Sequence, residues 1–101
     1  MAYTTIDNPG DYFNTVLWTG NATDDTAITG VGFSPDWVWI KNRSTTDAHH
    51  TADSVIGAGK RLRTDTNGAL GDQADGVKSF DSNGITIGTT GSLNGNGNSI
   101  V

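Results

Sequence analysis

Apolar residues occur along this chain in short alternating runs and nowhere recur at the 3.6-residue spacing of a helix. The strongest run spans residues 36–42, where Trp37 and Trp39 point one way and Val38 and Ile40 the other. A strand apolar on both faces predicts a layer packed on each side of it. Residues 12–19 read as an earlier strand, with Val16 and Trp18 on one face and Phe13, Thr15 and Leu17 on the other. Shorter strands follow at 26–30 around Ile28, at 51–56 and at 60–64. Residues 77–81 and 85–88 form a hairpin, with Asn83-Gly84 as the preferred pair of a type I′ turn. Ser99, Ile100 and Val101 open a last strand.

Polar, turn-rich segments separate these runs. Residues 1–11 read as an extended N-terminal arm with a turn signal at Asn8-Pro9-Gly10-Asp11. Residues 20–25, 44–50, 65–75 and 89–98 read as loops. Short strands at even spacing predict an all-β domain, an antiparallel two-sheet sandwich, with a barrel as the alternative.

Composition agrees with that fold. The 101 residues make one domain, 1–101. A chain of this size buries roughly 65% of its unfolded surface. There is no cysteine, so disulfides and thiolate metal sites are excluded. Every acidic side chain is Asp and 14 residues are Gly, which favours turns and caps over helix interiors.

The net charge of −5 and the scattered basic residues, clustered only at Lys60, Arg61 and Arg63, argue against nucleic-acid binding. No apolar run approaches the ~20 residues of a membrane span. The first residues carry neither the charged nor the apolar region of a cleaved leader, so a route other than a cleaved leader, such as lysis, is the expectation for an extracellular role.

Several residue groups carry candidate chemistry. Trp18, Trp37 and Trp39 can stack on sugar rings or fill a core or subunit interface. His49 and His50, with Asp47 and Asp53 nearby, are ligand-type side chains, for Zn or Ni before Ca. Neighbours in a strand face opposite ways, however, so one ion rarely takes both histidines. Asp65, Asn67, Asp72 and Asp75 suggest a loose Ca²⁺ loop. The EF-hand pattern fails there, because Ala69 and Leu70 fall where an oxygen ligand and a Gly are needed. Asn21, Asp24 and Asp25 are a weaker version of the same idea.

Gly57-Ala58-Gly59-Lys60 lacks the spacing and the helix of a phosphate loop. No Asp sits in a recognisable catalytic context, so no catalytic residue is assigned, an enzyme is not expected, and no cofactor is implied.

The strings ITGVGFSPDWVWIKNRS, ADSVIGAGKRL and SFDSNGITIGTTGSLN, in this order after the opening AYTTIDNPGDYFNTVLWTGN, resemble an uncharacterised domain of marine bacteriophage virion proteins. That domain recurs in tail-fibre-like and other structural proteins. The resemblance implies a jelly-roll or concanavalin-like β-sandwich. This chain departs from the pattern at Thr51, Ala52 and Ile56, where relatives carry larger apolar and basic residues. Relatives also run on past the position of Val101 into a Trp-rich strand, so a sheet lacking its final strand is one expectation. Either a longer product or another chain, by strand addition, then completes it.

The function implied is a virion structural module, a tail-fibre or spike component or a capsid decoration, acting through protein–protein assembly. The alternative is a glycan-binding domain for host adhesion. Partners would be other virion proteins and copies of itself, with a host-surface glycan under the alternative. Membrane insertion and nucleic acid are not expected. The place of action would be the virion surface, after synthesis in the bacterial cytoplasm.

Overall fold

The computed structural model describes residues 7–101. Its strands are β1 (Trp18–Thr19), β2 (Thr26–Ile28), β3 (Trp37–Ile40), β4 (His50–Asp53), β5 (Lys60–Arg61), β6 (Gly71–Asp72), β7 (Val77–Asp81), β8 (Gly84–Ile87) and β9 (Ser99–Ile100). One turn of helix, α1 (Gly91–Asn94), and one 3-10 turn at Pro9–Asp11 complete the elements. All strand pairs are antiparallel, and the domain is all-β.

The strands form two layers. One is the three-stranded sheet β2–β8–β7. The other joins the pairs β1–β9, β3–β4 and β5–β6 through single bridges, Asn42 to Ile100 and Thr51 to Leu62. Its order is therefore β1–β9–β3–β4–β5–β6. Ile28, Val77, Ile85 and Ile87 of the first layer meet Ile40, Ala52 and Ile100 of the second in a single core cluster, and Leu93 of α1 joins it. Alternation along the strands produces this: Ile85 and Ile87 turn inward on β8, while Thr86 between them stays half-exposed. Hydrophobic burial at these positions is the main favourable term for a domain with no covalent staple.

The structure corrects several expectations. Trp37 and Trp39 are not covered: they are 51% and 54% exposed, while Ile40 on the opposite face is 3% exposed. Nothing among the described residues packs over that outer face. In residues 12–19 only Trp18 and Thr19 pair as strand, and Tyr12, Phe13 and Leu17 are exposed.

Of the expected N-terminal arm, residues 1–6 lie outside the described residues. Residues 9–11 form the 3-10 turn, capped by Asn8, whose Oδ1 accepts from the Gly10 N–H at 3.1 Å. The hairpin is also not type I′. Asp81 pairs with Gly84, so Ser82 and Asn83 are the turn residues, and Asn83 is not among the residues with positive φ.

Two loops carry structure of their own. Residues 65–75 contain β6. Residues 89–98 contain α1, whose Asn94 is fully buried and ties three segments together. Its Nδ2 donates to the carbonyls of Thr23 and Gly88, both at 2.9 Å, and its Oδ1 accepts from the Asn21 N–H at 2.9 Å. Asn94→Ala should cost about 2–3 kcal/mol, because it strands a buried carbonyl that water cannot reach. Urea titration against the parent chain measures this, with a lowered midpoint at unchanged slope as the expected result.

Candidate binding groove

β3 ends in the polar residues Lys41 and Asn42 and is preceded by Ser34-Pro35-Asp36. Its outward side chains, Trp37 and Trp39, stand beside a groove of about 870 Å³. Tyr12, Phe13 and Val16 form the opposite wall, Phe33 and Ile85 lie deeper, and Val101 closes one end. That volume is typical of a site for a sizeable ligand or a peptide.

The two tryptophan rings are 6.3 Å apart between centroids and inclined by 51°. They therefore offer two separate faces and no single flat platform. Trp39 donates through Nε1 to His49 Nδ1 at 2.8 Å. The same two rings lie 5.7 Å apart, inclined by 37°. The contact fixes the Trp39 indole in one orientation. Trp18 is half-buried at the groove floor, and its Nε1 donates to the Leu93 carbonyl at 3.0 Å, so it is a packing residue with one polar handle.

The remaining candidate residues do not converge. His50 is fully buried in β4, on the side opposite His49, and its ring nitrogens have no hydrogen-bond partner. Burial lowers its pKa to about 4, and the charge of Arg61 adds to this. It is a neutral core residue that a surface ligand cannot touch, which corrects its candidacy.

The proposed Ca²⁺ loop does not gather either. Asp72 pairs with Lys60, Asp75 accepts from the Gln73 amide, and Asp65 accepts from the His49 N–H at 3.3 Å. Asn67 is exposed. Asp24 and Asp25 both pair with Lys78, and Asn21 Oδ1 accepts from Thr23 N and Thr26 Oγ1. Among the described residues, no three His, Cys, Asp or Glu side chains are placed to hold a metal ion. Asp47 accepts from Thr45 Oγ1 at 2.6 Å, and Asp53 caps the turn after β4 through the N–H groups of Val55 and Ile56.

Sequence reasoning missed the wall formed by Tyr12, Phe13 and Val16. The signal was present: residues 12–18 are apolar on both faces, more than one side of a half-buried strand can use.

The model of one domain family matches residues 8–101 of this chain. The chain belongs to DUF7483, a domain of unknown function. That match spans the groove, both layers of the sandwich and every candidate residue named above. No curated protein and no solved structure matches the chain. Among the described residues, no helix is long and apolar enough to cross a membrane.

Proposed function

We propose that this domain is a protein–protein assembly module of a bacteriophage virion, a tail-fibre or spike component before a capsid decoration. One observation carries the assembly part: Tyr12, Phe13, Trp37 and Trp39, all more than half exposed, border a single apolar groove. Clustered aromatics of this kind mark contact sites, because a monomer gains nothing by leaving them in water. The virion setting is supported by the resemblance of the three sequence strings to phage structural proteins. The negative net charge suits a particle that must stay soluble.

Sedimentation of the purified chain over a range of concentrations is the test. An assembly module runs above the mass of the 10.6 kDa chain, alone or with a neighbouring virion protein. The double variant Trp37→Ser/Trp39→Ser should weaken that association by about tenfold or more, since aromatic contact residues carry most interface energy. Fold stability should move little, as neither ring is in the core. A chain that stays monomeric, and whose tryptophan emission changes only on adding oligosaccharides, would instead make this a glycan-binding adhesion domain.

A further inference from the structure

β5 and β6 form the edge of the layer β1–β9–β3–β4–β5–β6 that lies away from β1, and their pairing sorts the side chains between two faces. Leu62 bridges to Thr51, which pairs with Trp39, so Leu62 lies on the outer face. Arg61, one residue earlier, lies on the other, the face that His50 and Ala52 turn toward the core. Its partner across the ladder is Gly71, which puts no side chain beside it. Arg61, Arg63, Gly68, Ala69 and Gly71 together line a pocket of about 110 Å³.

Among the described residues Arg61 and Arg63 make no salt bridge, and their side chains donate no hydrogen bond; the ion pairs belong to Lys60 and Lys78. Carboxylates are not scarce. All 11 Asp side chains lie among the described residues, since residues 1–6 contain none. Asp65 and Asp75 are near enough to act on the Arg61 charge, but Asp65 accepts from the His49 N–H at 3.3 Å and Asp75 from the Gln73 amide. Burial first, and the charge of Arg63 next, lower the Arg61 pKa, and the two carboxylates do not cancel this. Arg61 stays charged all the same, with five N–H donors to satisfy. Two like charges side by side, one of them half-buried, cost free energy that a shared anion offsets.

The pocket decides the class of anion. Its volume is that of about three or four waters at about 30 Å³ each, well below the roughly 300–1,000 Å³ of a whole-ligand site. It therefore takes one small group. A carboxylate has two oxygens and one charge, which a single guanidinium fork satisfies. A tetrahedral oxyanion has oxygens enough for two forks. Gly71 keeps the space open: a Cβ built on it meets nothing within 4 Å, and its φ is not positive, so the position would accept a side chain.

We propose that Arg61 and Arg63, facing Gly68, Ala69 and Gly71, form a binding site for a tetrahedral oxyanion, phosphate or sulfate, free or carried on a larger molecule. Each arginine presents a fork of N–H donors to the oxygens, and the small residues opposite leave the ion its room. The site is separate from the aromatic groove and does not rest on the assembly reading above.

The test is a titration of the isotope-labelled chain with inorganic phosphate at neutral pH and fixed ionic strength, followed by the NMR signals of the amides and of the arginine side chains. Signals of residues 61–63 and 68–71 should move and saturate, with a dissociation constant of about 1 mM or below. Acetate should bind at least about fivefold more weakly. Arg61→Gln and Arg63→Gln should each weaken phosphate binding by about tenfold, the loss expected for a hydrogen-bonded charge. Gly71→Val keeps both charges and fills the space, so it should abolish saturable binding while the rest of the spectrum keeps the parent pattern. Shifts that never saturate, that acetate matches, or that survive both Gly71→Val and Arg61→Gln overturn the proposal. Methyl phosphate separates the two sources. Binding as tight as that of the free ion assigns a phosphate group on a larger molecule, whereas binding of inorganic phosphate alone assigns the free ion; either result keeps the site.

Discussion

Gly84→Ala is expected to cost about 4 kcal/mol or more and to leave little folded protein at 37 °C. Gly84 opens β8 opposite Asp81, where the hairpin turns back against β2. A Cβ built there runs into the carbonyl oxygen of Ile28, closer than real Cβ contacts ever come. The obstacle is backbone, so no rotamer change relieves it. Neither strand can retreat: Ile28 pairs with Ile85, and both side chains are in the core. Relief would require breaking the β2–β8 ladder and opening the three-stranded layer. Gly91→Ala is the matched control, since nothing lies within 4 Å of the added carbon and the site is helical. It should be neutral or slightly stabilising, by under about 1 kcal/mol. Thermal and urea unfolding followed by circular dichroism separate the two variants.

The second large effect is a loss of stability on mild acidification, centred on His50. Its pKa is about 4 in the folded chain because the ring is buried, with Arg61 adding to the effect, against about 6.5 when unfolded. The unfolded chain therefore takes up the proton first as pH falls. Stability from this group is complete above about pH 6.5, drains away between pH 6.5 and 4, and levels off below that. The full loss is about 3 kcal/mol, from roughly 2.5 pH units at 1.36 kcal/mol each.

The carboxylates act in a lower window. Asp24, Asp72 and Asp81 are each held below the usual value by hydrogen bonds, from Lys78, from Lys60, and from Thr86 and Ser79. Their contributions are lost only as pH falls below about 3.8. Denaturant titrations from pH 7 to pH 4 should thus show a slope in the parent chain that His50→Leu flattens. Equal slopes in the two proteins would show that His50 is not the titrating group.

Much of the fold could be read from the sequence because it follows from alternation. Ile28, Ile40, Ile85 and Ile100 sit where strand periodicity puts them, and the all-β class follows from the turn-rich composition. Periodicity does not say which apolar face is covered. Trp37 and Trp39 looked like core because the alternate residues Val38 and Ile40 are apolar as well; only the face that carries Ile40 is covered, and the indoles on the other face stay half-exposed. Asn94 was invisible for another reason: two of its three hydrogen bonds join residues distant in sequence, Asn21 and Thr23, and a polar residue among glycines reads locally as a loop. His50 was placed in a loop beside His49, whereas the pairing of β3 with β4 carries it into the core. The wall of the groove went unread because residues 12–17 keep strand-like alternation without forming strand pairs.

The place of β9 also governs when the domain can fold. Residues 99–101 stand between β1 and Lys41–Arg43, so among the described residues the ladder from β1 to the end of β3 is closed through Ser99, Ile100 and Val101. A chain leaving the ribosome from its N-terminus cannot close that layer until Ile100 has emerged. Until then β1 has no strand partner, and Trp18 and Ile40 stay uncovered. Contacts this distant in sequence belong to topologies that fold in milliseconds to seconds rather than microseconds. Synthesis at about 5–20 residues per second adds a further interval in which apolar strand is exposed.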